Sequence, residues 1–357
     1  METIKLKFSD FRVVPDIESV HREAIDDGEY FSTKYSKFLS NSRLRWINPA
    51  EGGSPELFAN PPRLILGALN LGTFIHTSVL TPDEYYLAPK IDKPSAKLGL
   101  VLDEIERLLR SKKVKFDSFD DIVRTAALNV DYYRKTIDSK IDGIKVAWNQ
   151  YATRLEEVKP LAEGKPILTL SNADWDIAQR CVESLKSNQV IMSKLHPTDV
   201  FGDPIESYCE DALFMDYIVT YQGKQCATLR FKLKIDNWTI DEENKVVTVN
   251  DLKTTGHGVD SFIEPGGSFE RLHYYRQLGV YSDILMNYLL KTRGVSRAFG
   301  WTVNHNILAV ETVMSNYSRC FVINDNYINK GLEEAKELLK RVAACEIFGY
   351  DKEYIFE

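Results

Sequence analysis

A chain of 357 residues with 44% hydrophobic and 27% charged residues has the make-up of a soluble globular protein, long enough for one large domain or two ordinary ones. Its cysteines, Cys181, Cys209, Cys226, Cys320 and Cys345, form no C-x-x-C pair, which argues against a zinc ribbon or an iron–sulfur cluster with local ligand spacing and for a reducing cytoplasm. A formal net charge of −7 does not suit a protein that coats nucleic acid, although it leaves room for a local basic groove, and carboxylates gathered at a metal site would push the total this way.

The N-terminal METIKLKFSD lacks a signal-peptide core, and no apolar run of about 18 residues follows, so no membrane span is expected. The first 62 residues are polar and turn-rich, ending in NPAEGGSPELFANPP, which is unsuited to continuous helix. From Pro62 the apolar RLILGALNLGTFIHTSVL runs at helical spacing, and TPDEYYLAP makes a short connection between two prolines. Residues 95–160 read as helices, in LGLVLDEIERLLRSKK, DSFDDIVRTAALNVDYYRKTI and IKVAWNQYATRLEEV. Another helix opens at SNAD, with Ser171 as N-cap and Asp174 as an acidic near-version of the capping box.

After about residue 205 the pattern turns to strands. CEDALFMDYIV and CATLRFKLKID flank the turn YQGKQ, and WTIDEENKVVTVNDLKTT continues with DEENK as the next turn. A helix from about Phe269 to Leu290, strand-like AFGWTVN, ILAVETV and RCFVI, and a closing amphipathic helix NKGLEEAKELLKRVAACEIF complete the order. The second half is thus an α+β or α/β core with helical additions in front.

Alternation in LRFKLKID puts Leu229, Phe231, Leu233 and Ile235 on one face and Arg230, Lys232, Lys234 and Asp236 on the other. On the next strand Asp251 and Lys253 share a face, and with DEENK as the hairpin turn Asp236 and Asp251 come to the same end of neighbouring strands. Two carboxylates supply the oxygen ligands of a hard divalent cation, and a lysine beside them can orient a nucleophile and stabilise charge on a phosphate. Asp251–Lys253 read alone is more often an ordinary exposed ion pair worth at most about 1 kcal/mol. Gln277 and Tyr281, four apart, share a helix face. His76 sits in an otherwise apolar helix, where a core histidine is the commoner reading, and Glu210 opens the first hairpin strand. Arg230, Lys232, Lys234 and Arg276 are candidates for phosphate contacts or are simply solvated cations.

Taken together these residues resemble the PD-(D/E)XK nuclease superfamily, in particular the RecE (exonuclease VIII) group of phage-type recombination exonucleases and its RecB-like relatives. ALNLGTFIHTSVLTPDEYY carries Gly72, His76, Leu80 and Pro82 at the spacing of that family's first motif. FKLKID with Asp236 matches the second, DLKTT with Asp251, Lys253, Thr254 and Thr255 the third, and Gln277 with Tyr281 the Q-x-x-x-Y motif. Weaker matches are KFLSNSRLRWINP, Glu210 in SYCEDALF and Glu311 in ILAVETV. Ile235 stands where the family name has proline, and the long gap between the aspartates suggests an extended hairpin.

The resemblance implies a restriction-endonuclease-like core, a central mixed β-sheet flanked by helices, with a helical insertion. Its layout would be an N-terminal segment 1–94 with the first-motif helix, an insertion 95–195, and a core 196–357 forming one composite domain with 60–90. It further implies that His76, Asp236, Asp251, Glu210 and the Leu252 carbonyl bind Mg²⁺ or Mn²⁺. Lys253 would orient the attacking water, Gln277 and Tyr281 would hold the site and the DNA end, and Thr254 and Thr255 would lie beside DNA. Relatives of this kind degrade linear duplex from the 5′ end as trimeric or tetrameric rings and hand single strand to an annealing protein. A RecB-like repair or defence nuclease, as an endonuclease or single-strand-specific enzyme, is the alternative; scattered cysteines argue against the CRISPR-adaptation type, and no G-x-x-x-x-G-K-[ST] helicase signature is present. A DNA-binding module that keeps the fold without catalysis is the third reading.

Overall fold

The β-branched and aromatic run after residue 205 folds into the centre of a mixed six-stranded sheet. The computed structural model describes residues 3–62, 67–91, 93–94, 97–110, 116–133, 135–161, 165–313 and 315–357. In chain order the strands are β1 (Thr3–Leu6), β2 (Phe11–Glu23), β3 (Tyr86–Pro89), β4 (Ile167–Leu170), β5 (Glu206–Tyr221), β6 (Lys224–Asp241), β7 (Val246–Thr255), β8 (Thr302–Glu311), β9 (Ser318–Ile323) and β10 (Glu353–Phe356). The helices of seven residues or more are α1 (Gly67–Leu80), α2 (Lys97–Arg110), α3 (Phe119–Asn129), α4 (Ile141–Leu161), α5 (Asn172–Ser187), α6 (Gln189–Leu195), α7 (Tyr274–Arg293) and α8 (Asp325–Phe348).

The chain divides into one unit of residues 1–81 and 176–357 and a second of residues 82–175. In the second unit α2, α3 and α4 bury Val101, Leu102, Ile105, Val123, Ala126 and Ile144, and β3 pairs in parallel with β4. These boundaries differ from the anticipated insertion of 95–195. Most of α5 and all of α6 fall in the first unit, where Ser184 and Asn188 hydrogen-bond Ser318 of β9. Ser171 caps α5 as expected, its Oγ accepting from the Asp174 N–H at 3.2 Å.

In the first unit the sheet runs β2-β5-β6-β7-β8-β9, antiparallel throughout except for parallel β7 and β8, which α7 connects. The β5–β6 hairpin closes on Gln222 and Gly223, both at positive φ (48° and 79°), the geometry that a two-residue hairpin turn of matching twist requires. At the β6–β7 turn Asp241 accepts the Asn244 N–H at 2.9 Å. Both turns therefore lie where YQGKQ and DEENK place them.

The β6–β7 ladder stops at Asn237↔Asn250, although β7 continues along β8 as far as Thr255↔Glu311 and β6 continues along β5. The strands part there, and Leu39 takes the edge of β6 that β7 leaves, donating to the Arg230 carbonyl (2.8 Å) and accepting from the Lys232 N–H (2.9 Å). The last rung is a buried amide relay: Asn306 Nδ2 donates to Asn250 Oδ1 at 2.8 Å, Asn250 Nδ2 to Asn237 Oδ1 at 2.7 Å, and Asn237 Nδ2 to Ser207 Oγ at 2.9 Å. A one-residue slip would leave these amides unsatisfied in the interior, so the relay fixes the register of the strands that carry the acidic residues.

Helices α7 and α8 cover the sheet with Leu278, Ile284, Leu285, Leu338, Leu339 and Val342 against Leu213, Met215, Phe231, Leu233 and Ile235. The two helices meet backbone to backbone: a Cβ at Gly331 would lie 2.0 Å from the Tyr275 carbonyl oxygen. Three expectations change. The polar N-terminal segment contains the 13-residue strand β2, whose Pro15 is tolerated because β2 is an edge strand. The helix expected over 269–290 is broken, because His273 takes a left-handed conformation (φ 52°) between a short turn Ser268–Arg271 and α7. AFGWTVN and ILAVETV merge largely into the single strand β8. Residues 63–66, part of the expected first-motif helix, lie outside the described residues. Among the described residues no helix is long and apolar enough to cross a membrane.

Candidate metal centre

The point where β6 and β7 part gathers the acidic residues. One residue past Asn237↔Asn250, register sets Asp236 opposite Asp251; between Cys209↔Asn237 and Asp211↔Ile235, Glu210 falls opposite Asp236. Three carboxylates thus form a row across three adjacent strands. Like charges directly opposite one another are destabilising, and the ladder is interrupted at both of these steps. Glu210 itself adopts a left-handed backbone (φ 50°), a strain of roughly 1–3 kcal/mol that the surrounding sheet has to sustain.

His76 reaches this row from α1. A ring nitrogen of His76 and carboxylate oxygens of Glu210 and Asp236 lie within 4.8 Å of one another, with His76 Nδ1 3.6 Å from Asp236 Oδ2. Gly72 of α1 faces Thr254 of β7, where an added Cβ would lie 3.4 Å from the Thr254 Oγ1. Asp236 Oδ2 also accepts the Leu252 N–H at 2.7 Å, replacing the strand partner lost where the ladder ends.

Burial sets the protonation of the group. It pushes Asp251 up to about 6, assisted by the Asp236 charge and opposed by the Lys253 ammonium. It pushes Glu210 up to about 7, with Asp236 adding to the rise and Lys234 opposing it, and it raises Asp236 as well. Burial drives His76 down to about 4, and Lys253 adds to the fall, so the imidazole is neutral and its lone pair free. For Lys253 burial lowers the pKa, but Asp251 and Asp236 outweigh it and hold the group charged.

Asp251 is fully buried. Its Oδ1 accepts from Gln277 Nε2 at 3.0 Å, and Gln277 Nε2 also lies 2.7 Å from the Tyr281 hydroxyl. Lys253 Nζ stands 2.6 Å from Asp251 Oδ2, a buried ion pair that holds the ammonium beside the row. Oxygen donors from crowded carboxylates and a neutral imidazole, with His76, Glu210 and Asp236 at ligand spacing, make a donor set suited to a hard divalent cation. The expected residues His76, Glu210, Asp236, Asp251, Lys253, Gln277 and Tyr281 are therefore brought together.

The proposed phosphate contacts fare differently. Arg276 is 1% exposed and is held by Glu51 (2.6 Å), Glu334 (2.8 Å) and Asn41 (2.8 Å), so it is an internal tie and not a DNA contact. Lys232 is buried too, donating to the Tyr30 carbonyl at 2.6 Å with its ammonium 4.2 Å from the Tyr30 ring. Lys234 bridges Asp27 (2.6 Å) and Glu210 (3.1 Å), which makes it a brace for the acidic row. Thr255 is buried, with its Oγ1 accepting the His257 N–H, and Thr254 is half-buried. Arg230 is exposed, and so is His257. Glu311 accepts the Val259 N–H at 2.7 Å and fastens the loop after β7.

Sequence reasoning passed over three groups. Asp27 lies far from every motif, in a segment read only as polar and turn-rich. His273, given no role, pairs with Glu334 at 2.8 Å inside the Arg276 network. Glu51, His273 and Glu334 also cluster at metal-ligand spacing, but the Arg276 guanidinium supplies the balancing charge. Tyr274, the first residue of a helix whose start the sequence did not reveal, places its ring beside Lys253.

The model of a family described as a PDDEXK-like domain of unknown function (DUF3799) matches residues 149–348, more than half of the chain. That stretch includes Glu210, Asp236, Asp251, Lys253, Gln277 and Tyr281, and His76 precedes it. A crystal structure of a candidate exonuclease from Eubacterium rectale is similar over 92% of this chain and 88% of its own, at 12% identity and a TM-score of 0.45. No curated protein matches significantly.

Proposed function

We propose that this chain, which belongs to the family of PDDEXK-like domains of unknown function (DUF3799), is a divalent-metal-dependent DNA nuclease that acts as an exonuclease on linear duplex. The observation that carries the reading is the row Glu210–Asp236–Asp251, with a His76 ring nitrogen at metal-ligand spacing from Glu210 and Asp236 and the Lys253 ammonium 2.6 Å from Asp251. Glu210, Asp236, Asp251 and His76 would hold Mg²⁺ or Mn²⁺, with the Leu252 carbonyl beside them. The ion, when bound, polarises a phosphoryl oxygen and lowers the pKa of a coordinated water. Lys253 orients the attacking water and offsets charge developing on the phosphate. Gln277 keeps Asp251 in place, and Tyr281 keeps Gln277 in place.

The finer reading follows the resemblance to RecE-type exonucleases: digestion from the 5′ end, a trimeric or tetrameric ring around the DNA, transfer of the single strand to an annealing protein, and a cytoplasmic setting in phage or prophage recombination. With Lys232, Lys234 and Arg276 committed internally, exposed Arg230 is the remaining candidate among the basic residues first considered for the DNA backbone.

Digestion of 5′-phosphorylated linear duplex beside covalently closed circles, with Mg²⁺ or with chelator, tests the proposal. Loss of the linear form alone, in Mg²⁺ alone, is expected. Nicked circles would move the reading to a RecB-like endonuclease, and intact DNA in every lane would reject nuclease activity.

A further inference from the structure

We propose that Tyr274 is a positioning residue of this site, its ring face holding the Lys253 ammonium in place beside the row of carboxylates; the inference rests on the nuclease reading for its catalytic consequence. Lys253 Nζ lies 5.1 Å from the centre of the Tyr274 ring, within the range over which an aromatic face attracts a cation, and both groups are largely removed from water.

The ring is fixed from behind. It stacks on Phe262 at 5.8 Å with 8° between the planes, and Phe262 stacks on Phe321 at 6.0 Å and 12°. The three rings are thus nearly parallel, and the Arg319 guanidinium lies 5.3 Å from the centre of the Phe321 ring. Phe262 is buried, and its loop is tied down by the Val259 N–H to Glu311 and by its own carbonyl, which accepts from the Phe269 N–H at 2.9 Å.

The start of α7 is fixed as well. His273 holds its left-handed conformation while pairing with Glu334 at 2.8 Å and hydrogen-bonding the Tyr275 hydroxyl at 2.9 Å. Tyr274 is the first residue of the helix that follows, and Gln277 lies three residues on, the spacing of neighbours on one helix face. A single helical turn thereby delivers a ring to Lys253 and an amide to Asp251.

A lysine side chain has four rotatable bonds and needs restraint if its ammonium is to orient a nucleophile. Asp251 alone is an imperfect restraint, because its carboxylate is also a candidate metal donor. An aromatic face carries no net charge and occupies no metal position, so it can hold the ammonium while the carboxylates serve the ion.

The test compares Tyr274→Phe, which keeps the ring, with Tyr274→Leu, which removes it. Expected turnover on linear duplex is near wild type for Tyr274→Phe and about tenfold lower for Tyr274→Leu, with KM little changed. A readout independent of activity is the proton NMR shift of the Lys253 ε-methylene, moved upfield by the ring in wild type and Tyr274→Phe and restored in Tyr274→Leu. Equal turnover in Tyr274→Leu and wild type overturns the inference, as does an ε-methylene shift that Tyr274→Leu leaves unmoved. Equal losses in both variants also overturn it, by assigning the effect to the hydroxyl. A wild-type protein that shows the NMR pattern but cleaves no DNA rejects the nuclease reading and leaves the Tyr274–Lys253 hold established.

Discussion

Lys253→Ala is expected to lower DNA cleavage by about 10²–10³-fold while Mn²⁺ binding persists, because it removes an oriented charge and no metal donor. Asp251→Ala should lower cleavage at least as far and weaken Mn²⁺ binding too, since it removes a carboxylate from the row and the anchor of both Gln277 and Lys253. The contrast carries the information. Steady-state cleavage of linear duplex, with Mn²⁺ calorimetry on the same preparations, separates the two roles. Either variant cutting at the wild-type rate would remove that residue from the site.

A second large effect concerns stability. In the unfolded chain Asp and Glu release their protons near pH ~4, whereas folding holds Asp251 to about 6 and Glu210 to about 7. A raised carboxylate pKa means that the folded state binds more protons in that interval, so stability from these groups is lost as pH rises through 6 to 7. His76, driven down to about 4, acts in the opposite sense between about pH 4 and its ordinary value of about 6.5. Only between about pH 6.5, where His76 has ceased to contribute, and about pH 7, the Glu210 value, does the carboxylate loss show by itself. A divalent cation binds the deprotonated row and reverses the loss; at about 100 times its Kd it contributes about 2.7 kcal/mol. By the usual scaling with chain length this is worth roughly 4–5 °C in Tm. Melting in Mg²⁺ against chelator should show that rise at pH 8 and little at pH 5. An equal rise at both pH values would dissociate the stabilisation from these carboxylates.

How much of this was legible in the sequence follows from what each signal encodes. Period-two alternation and turn chemistry are local properties, so the hairpins at Gln222–Gly223 and Glu242–Lys245 were readable, and with them the convergence of Asp236 and Asp251. His76 and Glu210 were placed by their likeness to a motif, since a lone histidine in an apolar helix has no local signature. Charge was the weak point. Alternation correctly put Lys232 and Lys234 on the face of Asp236, but nothing in FKLKID announces that Tyr30 and Asp27, some two hundred residues earlier, fold over that face and occupy both ammonium groups. Arg276 reads as a solvated cation beside Gln277 until Glu51 and Glu334 close around it from other elements. Tyr274 was hidden for a different reason. Nothing in the sequence marks a break at His273, and only the left-handed conformation there shows that Tyr274 begins a new helix beside Lys253.

One cation shared by a row of carboxylates, at the point where two strands part, is what makes this arrangement a nuclease site. Anomalous scattering from crystals soaked in Mn²⁺ examines it most directly. A single strong peak about 2.0–2.6 Å from oxygens of Asp236 and Asp251, with Glu210 or His76 completing the shell, is the predicted result. Manganese at the Glu51–His273–Glu334 cluster instead, or no ordered ion at the Asp236–Asp251 gap at saturating concentration, would contradict the account.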